Sequence, residues 1–372
     1  MAAEPVHLEA TMPAVPNRQS ADLLVNVQIL RLVAALLVVF THAHFDVSNI
    51  AARRGTGFAS AGLLDWGLGV DIFFVISGFI MYYTMRDRFG EPGVARDFLR
   101  RRAIRVVPLY WIVTTLMLAS TLAVGSAVNN PSHDPAHILA SYLFLPWPRA
   151  DGLIFPVLSL GWTLNYEMLF YLVFALALGL GRRAGLLLVG AAFAALWAAA
   201  AAVPAEVWWL RFWGNSVIGE FLLGIGLAMA YVAGVRLGGA AAAALLAAGT
   251  LLAVWLFQVS AFEHLPRLVT GGLPALLIAA GAALGPPARD MPMTRLLVFG
   301  GAASYALYLA HPFALRITSI VGDRLGLPLP LILVLCIGAA LLGSAAVHLW
   351  VERPIGARLG RWTVRRRSHQ PA

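Results

Sequence analysis

Ten apolar segments, each close to the length of a membrane-spanning helix, limit what this chain can fold into. A helix needs about 20 apolar residues to cross the hydrocarbon core of a bilayer. The predicted spans run from Leu23 to Ala43, Trp66 to Met85, Val106 to Val124, Pro156 to Leu180, Gly185 to Val203, Gly214 to Ala233, Gly238 to Ser260, Leu268 to Gly285, Leu296 to Leu315 and Leu327 to Val351. Of the 372 residues 60% are hydrophobic and only 12% are charged, whereas about one quarter are charged in soluble domains. The sequence predicts an all-α polytopic membrane protein with about ten transmembrane helices, and excludes a soluble two-domain protein, a secreted disulfide scaffold and a disordered chain.

The arginines predict how the chain is oriented. All 27 basic residues are arginine, and basic residues collect in the cytoplasmic loops of membrane proteins. With a cytoplasmic N-terminus, 19 arginines lie inside, seven lie outside and Arg31 lies within the membrane. Arg53 and Arg54, in the first outer loop, run against this rule. We predict that both termini are cytoplasmic, with a disordered tail over 1–22, the transmembrane domain over 23–352 and a basic tail over 353–372.

Composition also narrows the partners. The single cysteine, Cys336, allows neither an internal disulfide nor a thiolate metal cluster, and no metal site is predicted. The net charge of +9 could suggest nucleic acid. In a polytopic protein, however, such charge sets orientation and contacts anionic lipids. We therefore predict membrane lipids as partners and no nucleic acid.

A few ionisable residues fall inside the spans, where they are costly and mark functional interiors by default. Arg31 and His42 are eleven residues apart on the first helix, so they lie about 20° apart around its axis and about 16 Å apart along it. They share one face. Asp71, Glu167 and His311 are candidates for the same interior, and the alternative for each is a contact that fixes helix register. For Glu220 and His348 the sequence favours that structural role.

A basic block joins the second and third spans on the predicted cytoplasmic side. Arg102 and Arg105 lie one turn apart and share a helix face. Contact with anionic lipid is one interpretation. Because guanidinium groups bind phosphate oxygens in pairs, a phosphate site is an equal alternative.

These segments together resemble the membrane-bound acyltransferase family 3, whose ten-helix members O-acylate polysaccharides, lipid-linked sugars and some antibiotics. The similarity covers about Val25 to Pro354 and is greatest to the exopolysaccharide O-acetyltransferase subgroup. The similar strings are Arg31 with His42, Gly69-Val-Asp-Ile-Phe-Phe-Val-Ile-Ser-Gly-Phe, Phe98-Leu-Arg-Arg-Arg-Ala-Ile-Arg-Val-Val-Pro-Leu-Tyr, Trp162-Thr-Leu-Asn-Tyr-Glu and Ser304-Tyr-Ala-Leu-Tyr-Leu-Ala-His-Pro.

The resemblance implies a membrane enzyme that moves an acyl group, we expect acetyl, from cytoplasmic acetyl-CoA to a sugar hydroxyl. His42 is the candidate general base, because imidazole accepts a proton near neutral pH. Asp71 or Glu167 would orient it, as a carboxylate does in hydrolytic triads, and Arg31 would hold the donor or a carboxylate. The remaining expectations are a donor site at Arg101, Arg102, Arg105 and Tyr110, and an acceptor site at His311 and Trp162.

Several alternatives stay open at this stage. Acylation of lipopolysaccharide, a cyclic glucan or a small-molecule glycoside differs mainly in the acceptor. Direct transfer and transfer through a covalent intermediate are both compatible with the residues. From other classes, a transporter of polysaccharide or lipid-linked sugar would also use a polar interior, although no inverted repeat is visible; a structural scaffold would explain neither Arg31 nor His42. We expect a bacterial inner membrane location, with polysaccharide-assembly proteins as possible partners.

Overall fold

The computed structural model describes residues 18–58, 62–63, 65–124 and 134–367, and the regular structure within these ranges is helical. The α-helices are α1 (Arg18–Arg53), α2 (Leu68–Met85), α3 (Val94–Val124), α4 (Pro135–Tyr142), α5 (Trp162–Leu178), α6 (Arg182–Ala202), α7 (Trp208–Trp213), α8 (Gly219–Val232), α9 (Gly239–Gln258), α10 (Leu273–Leu284), α11 (Pro292–Ala302), α12 (Ser304–Arg324), α13 (Leu329–Val347) and α14 (Arg353–Arg367). Two π-helical segments, Leu268–Gly272 and His348–Glu352, precede α10 and follow α13. The all-α membrane fold predicted from the sequence is confirmed.

Eight helical segments of the described chain are long and apolar enough to cross a membrane. A ninth is the pair α11 and α12, which pass this test together but meet at 74°. The segment Leu268–Leu284 is apolar but shorter. Together these account for the ten predicted segments, with α7 and α8 sharing one.

Three boundaries differ from the sequence prediction. Helix α1 continues to Arg53, and α3 begins at Val94 rather than Val106, so the basic block forms the first turns of α3. A hydropathy pattern ends a predicted span at charged residues, because lipid disfavours them. The helical hydrogen bonds of the backbone continue past these residues. The ninth predicted span is broken at Ala303. The break follows Gly300 and Gly301, residues of low helix propensity, which a hydropathy pattern does not register.

Glycines let the central helices approach closely. A Cβ added to Gly78 would lie 2.0 Å from the Phe221 carbonyl oxygen, and one added to Gly224 would lie 2.0 Å from that of Val75. A Cβ added to Gly69 of α2 would likewise lie 2.2 Å from a backbone carbonyl oxygen of α1. Small residues of this kind drive helix association in membranes. Helix α2 is thereby packed between α1 and α8, and it is the most buried of the candidate spans.

The predicted tails are described only in part. Residues 1–17 of the predicted N-terminal tail lie outside the described residues, and α1 begins at Arg18. The predicted basic C-terminal tail is helical as α14 up to Arg367. In the long loop between the predicted spans that end at Val124 and begin at Pro156, the described part contains α4, whose first turn is capped by Asp134.

Candidate active site

Two cavities lie within the bundle, one around Arg31 and one around His42. The Arg31 cavity has a volume of about 360 Å³ and is lined by polar residues that include Arg31, Ser77, Arg102, Arg105, Glu167 and Ser304. The His42 cavity has a volume of about 410 Å³, and its wall includes His42, Arg149, Phe155, Trp162 and Arg267. Val70 and Tyr308 line both cavities. The two cavities therefore adjoin at these residues.

The same helices supply residues to both cavities, which stacks the cavities along the bundle. On α1, Arg31 and His42 are about 16 Å apart along the axis and line different cavities. On α5, Trp162 lines the His42 cavity and Glu167 the Arg31 cavity. Arg31 and His42, which were predicted to share one face of α1, each line one of the two adjoining cavities.

Tyr308 is held in place where the cavities adjoin. Its hydroxyl donates to the Leu160 carbonyl oxygen at 2.9 Å and lies 2.8 Å from the Thr163 hydroxyl. Its ring packs edge-on against Phe73. These contacts fix the aromatic side chain that separates the two spaces.

His42 has one ring nitrogen fixed and the other available. Its Nδ1 lies 2.9 Å from the Val38 carbonyl oxygen, and because a carbonyl only accepts, Nδ1 carries the proton in the neutral ring. The lone pair is then on Nε2. Among the described residues no carboxylate binds Nδ1, so the orienting role expected for Asp71 or Glu167 is taken here by a backbone carbonyl.

His311 lies beside His42 rather than in the cavity wall. The two rings are 5.1 Å apart between centroids, and His311 is fully buried. Its Nδ1 donates to the Leu307 carbonyl oxygen at 2.9 Å, while its Nε2 is buried without a hydrogen-bond partner in the described part of the chain. The His42 ring therefore lies between His311 and the cavity.

Arg31 shares its cavity with an acidic residue, the kind of neighbour that a mid-membrane arginine requires. Glu167 lies in its electrostatic range and lines the same cavity. The Glu167 Oε1 atom accepts from the hydroxyls of Ser77, at 3.3 Å, and Tyr171. Arg31 itself donates to Gln28 Oε1 at 3.4 Å. The structure thus places Arg31 and Glu167 together and away from the His42 cavity.

Arg102 and Arg105 form the charged end of the Arg31 cavity. The Nε atom of Arg102 is buried with no hydrogen-bond partner among the described residues, and its guanidinium lies 5.7 Å from the centroid of the Phe98 ring. Arg105 approaches Glu352 Oε1 at 4.0 Å, and Glu352 Oε2 lies 2.6 Å from His348 Nδ1. A buried donor without a partner fits a site for an anionic group. The structural role expected for His348 agrees with its contact to Glu352.

The other two residues expected at the donor site lie elsewhere. Arg101 binds the Asp97 carboxylate, four residues earlier on α3, and does not line the cavity. Tyr110 is buried and donates to the Ser141 carbonyl oxygen at 2.9 Å, which attaches α4 to α3. The sequence motif could not distinguish these two residues from Arg102 and Arg105, because the four differ only in the helix face on which they lie.

Asp71 binds an arginine that the sequence analysis missed. Its oxygens accept from Arg267 Nε at 2.8 Å and Nη2 at 2.9 Å, and Asp71 is only 1% exposed. Arg267 directly precedes an apolar segment and therefore looked like an ordinary loop residue. The signal that could have found it is Asp71 itself, because a buried carboxylate requires a cation.

The second arginine of the His42 cavity comes from the long outer loop. Arg149 is paired with Asp151, and its guanidinium lies 5.7 Å from the centroid of the Phe155 ring. This hydrogen bond holds the pKa of the Asp151 carboxyl below its ordinary value. The cavity therefore combines two guanidinium groups with the aromatic surfaces of Phe155 and Trp162. Sequence reasoning missed Arg149 because the loop carries no recognisable binding pattern.

The comparisons with known proteins give the class of this molecule. The acyltransferase family 3 model, described as an acyltransferase domain, matches residues 24–349, so the chain belongs to that family and the predicted resemblance is confirmed. The protein is a multi-pass membrane O-acyltransferase. This supports the enzyme hypothesis over the alternative of a transporter. No group of three or more His, Cys, Asp or Glu residues able to hold a metal ion occurs in the described ranges.

Three curated relatives are similar to the chain. The exopolysaccharide production protein ExoZ of Rhizobium meliloti is 36% identical over 290 residues, covering 77% of this chain and 88% of ExoZ. The acyltransferase MdmB of Streptomyces mycarofaciens is 27% identical over 366 residues, covering 88% of this chain and 90% of MdmB. Nodulation protein 10 of Rhizobium leguminosarum bv. viciae is 28% identical over 198 residues, covering 49% and 52%. No solved structure matches the chain.

Proposed function

We propose that the protein transfers an acetyl group from cytoplasmic acetyl-CoA to a hydroxyl of an exopolysaccharide or of its lipid-linked precursor. One observation supports this most strongly: two adjoining cavities, one ending in Arg102 and Arg105 and the other holding His42. A donor and an acceptor that approach from opposite faces of a membrane need such an arrangement. The name of the relative ExoZ supports the choice of acceptor.

The donor enters from the side of Arg102 and Arg105. These guanidinium groups hold the phosphates of CoA, for which Arg is well suited because it binds phosphate oxygens in pairs. The pantetheine arm then runs past Arg31 and Tyr308 towards His42. Arg31 and His42, which this path joins, lie about 16 Å apart along α1.

His42 is the general base. Its Nδ1 proton is held by the Val38 carbonyl, so Nε2 is free to take the proton of the acceptor hydroxyl as that oxygen attacks the thioester carbonyl. The bond to sulfur then breaks, and the CoA thiolate takes the proton back from the imidazolium. Because the cavities adjoin, donor and acceptor are bound together and the transfer is direct.

The acceptor occupies the His42 cavity, which lies on the outer side in the predicted orientation. Trp162 supplies an apolar surface on which a sugar ring stacks, and His311 supports the His42 ring from behind. The enzyme resides in a bacterial inner membrane, where it acts beside the proteins that assemble the polymer.

Transfer of labelled acetyl from acetyl-CoA to polysaccharide tests this proposal. In membranes containing equal amounts of protein, we expect His42→Ala to lower the rate by at least 10²- to 10⁴-fold, the usual contribution of a general base. His44→Ala is the matched control, because His44 lies on the same helix, packs near Phe40 and Phe58 and lines neither cavity. Wild-type transfer by His42→Ala would remove His42 from catalysis.

A further inference from the structure

Arg267 occupies an unusual position beside the proposed base. It lines the His42 cavity, and its side chain is 31% exposed although its partner Asp71 is buried. Two of its nitrogens bind Asp71, and Nη2 also lies 3.4 Å from the Gly67 carbonyl oxygen. The remaining nitrogen, Nη1, makes no hydrogen bond within the part of the chain that the structure describes.

We propose that Arg267 is a catalytic residue whose guanidinium stabilises the negative charge that develops on the thioester carbonyl oxygen. The inference rests on the proposed function and adds to it a group for the step that His42 alone does not serve. Acyl transfer through a tetrahedral intermediate requires donors for this oxygen, and donors that are already fixed before the reaction are the most effective.

The Asp71 contact supplies that rigidity. A two-point contact with a buried carboxylate leaves the guanidinium one orientation, and both residues lie at helix ends rather than on a long loop. Sites held by helices are positioned more accurately than sites held by loops. The π-helical turn Leu268–Gly272 directly after Arg267 is also a feature that frequently occurs at functional sites.

A purely stabilising role explains the ion pair of Asp71 and Arg267 less well. Desolvating two charges costs so much that apolar residues of similar size stabilise a protein as well or better. An ion pair retained at the wall of a cavity, with one face of the arginine open to that cavity, is better explained by a ligand. Glu220 is fully buried and lies in electrostatic range of both residues.

The step balances without any further reactant. The acceptor oxygen forms a bond to the carbonyl carbon while the carbonyl electron pair moves onto its oxygen, where Arg267 Nη1 donates a hydrogen bond. His42 Nε2 takes the hydroxyl proton. When the carbonyl re-forms, the bond from carbon to sulfur breaks and the thiolate takes the proton from the imidazolium, giving an acetyl ester and free CoA.

The test must separate catalysis from folding, because Arg267→Met alone leaves Asp71 buried without a cation. The double variant Asp71→Asn/Arg267→Met removes both charges. With purified protein and labelled acetyl-CoA, we expect kcat about 10²- to 10³-fold below wild type, as for loss of one oxyanion donor. The KM of each substrate and the melting temperature should stay near wild type. Arg53→Met, which removes an exposed arginine that binds Asp323 and lines neither cavity, should retain kcat.

Each other result overturns the inference. Wild-type kcat in the double variant would make the pair structural, and a raised acceptor KM with unchanged kcat would make Arg267 an acceptor-binding residue. If the double variant does not fold, Arg267→Lys replaces it, because an ammonium group cannot bind both Asp71 oxygens and a third acceptor in this geometry; unchanged kcat there would also contradict the inference. If wild-type protein transfers no acetyl at all, the proposed function fails first, and this outcome is distinct from the others.

Discussion

At the residue scale, the chemistry depends on which atoms are left without protein partners. His42 Nε2 and Arg267 Nη1 at one cavity, and Arg102 Nε at the other, are among the polar atoms that have no hydrogen-bond partner in the described part of the chain. Arg101 and Tyr110, which belong to the same motif as Arg102, have their partners within the protein. Available groups of this kind separate candidate site residues from structural ones better than motif position does.

Tyr308 provides a prediction at this scale, because it lines both cavities. Tyr308→Trp adds volume where the pantetheine arm must pass, so we expect at least a 10-fold loss of transfer with acetyl-CoA binding retained. Tyr308→Phe keeps the ring and removes only the hydroxyl contacts to Leu160 and Thr163. It should fall within a few-fold of wild type. The measurement is transfer rate beside equilibrium binding of labelled acetyl-CoA, and full activity in Tyr308→Trp would show that the donor does not pass this point.

At the element scale, glycines set the spacing of the helices that carry the site. Helices α2 and α8 approach through Gly78 and Gly224. The same α2 carries Ser77, which lines the Arg31 cavity, and Asp71, which binds Arg267. Helix α11 approaches α1 in the same way, because a Cβ on Gly301 would lie 2.0 Å from the Gln28 carbonyl oxygen. These contacts hold Arg31 in its place.

The glycine contacts predict a sharp difference within one helix. Gly224→Ala places a methyl group against the Val75 backbone, which cannot move aside as a flexible side chain can. We expect a loss of about 1–3 kcal/mol, as for overpacking of a tight core. Gly226→Ala, two residues later, meets nothing within 4 Å and should be neutral. Thermal unfolding of the two variants in detergent measures this, and equal melting temperatures would contradict the close approach.

The sequence predicted where the helices lie in the chain better than it predicted their breaks and irregular turns. Apolar length located the segments, because the cost of exposing polar groups to lipid acts on every residue of a span. The break at Ala303 and the π-helical segments escaped prediction, since apolar length registers neither helix propensity nor helix type. For the site, the spacing of Arg31 and His42 predicted one shared face, and the two residues line adjoining cavities. The partner of Asp71 did not follow from any spacing, because Arg267 is 196 residues away in the chain.

At the scale of the whole molecule, contacts between loops fall into two sets. Arg54 binds Asp323, and Gln258 donates to the Gly62 carbonyl oxygen, which joins loops predicted to be outside. Asn26 binds the carbonyl of Pro286 in a loop predicted to be inside. Ten crossings of the membrane would produce this grouping. Arg53 and Arg54, which run against the charge rule, are both paired with Asp323.

The proposed donor site predicts that cytoplasmic acetyl-CoA binds at Arg102 and Arg105. Its most direct test is binding of labelled acetyl-CoA to inverted membrane vesicles, which expose the cytoplasmic face, with right-side-out vesicles alongside. The variant is Arg102→Ala/Arg105→Ala. The control, Arg358→Ala/Arg361→Ala, removes two exposed arginines of α14, which the topology places on the same side.

We expect saturable binding of acetyl-CoA to inverted vesicles only. The control variant should bind it as the wild type does. Each guanidinium bound to phosphate contributes about 1.5–3 kcal/mol, so the double variant should bind at least roughly 100-fold more weakly. Equal affinity of the double variant and the wild type, or saturable binding to right-side-out vesicles, would contradict it.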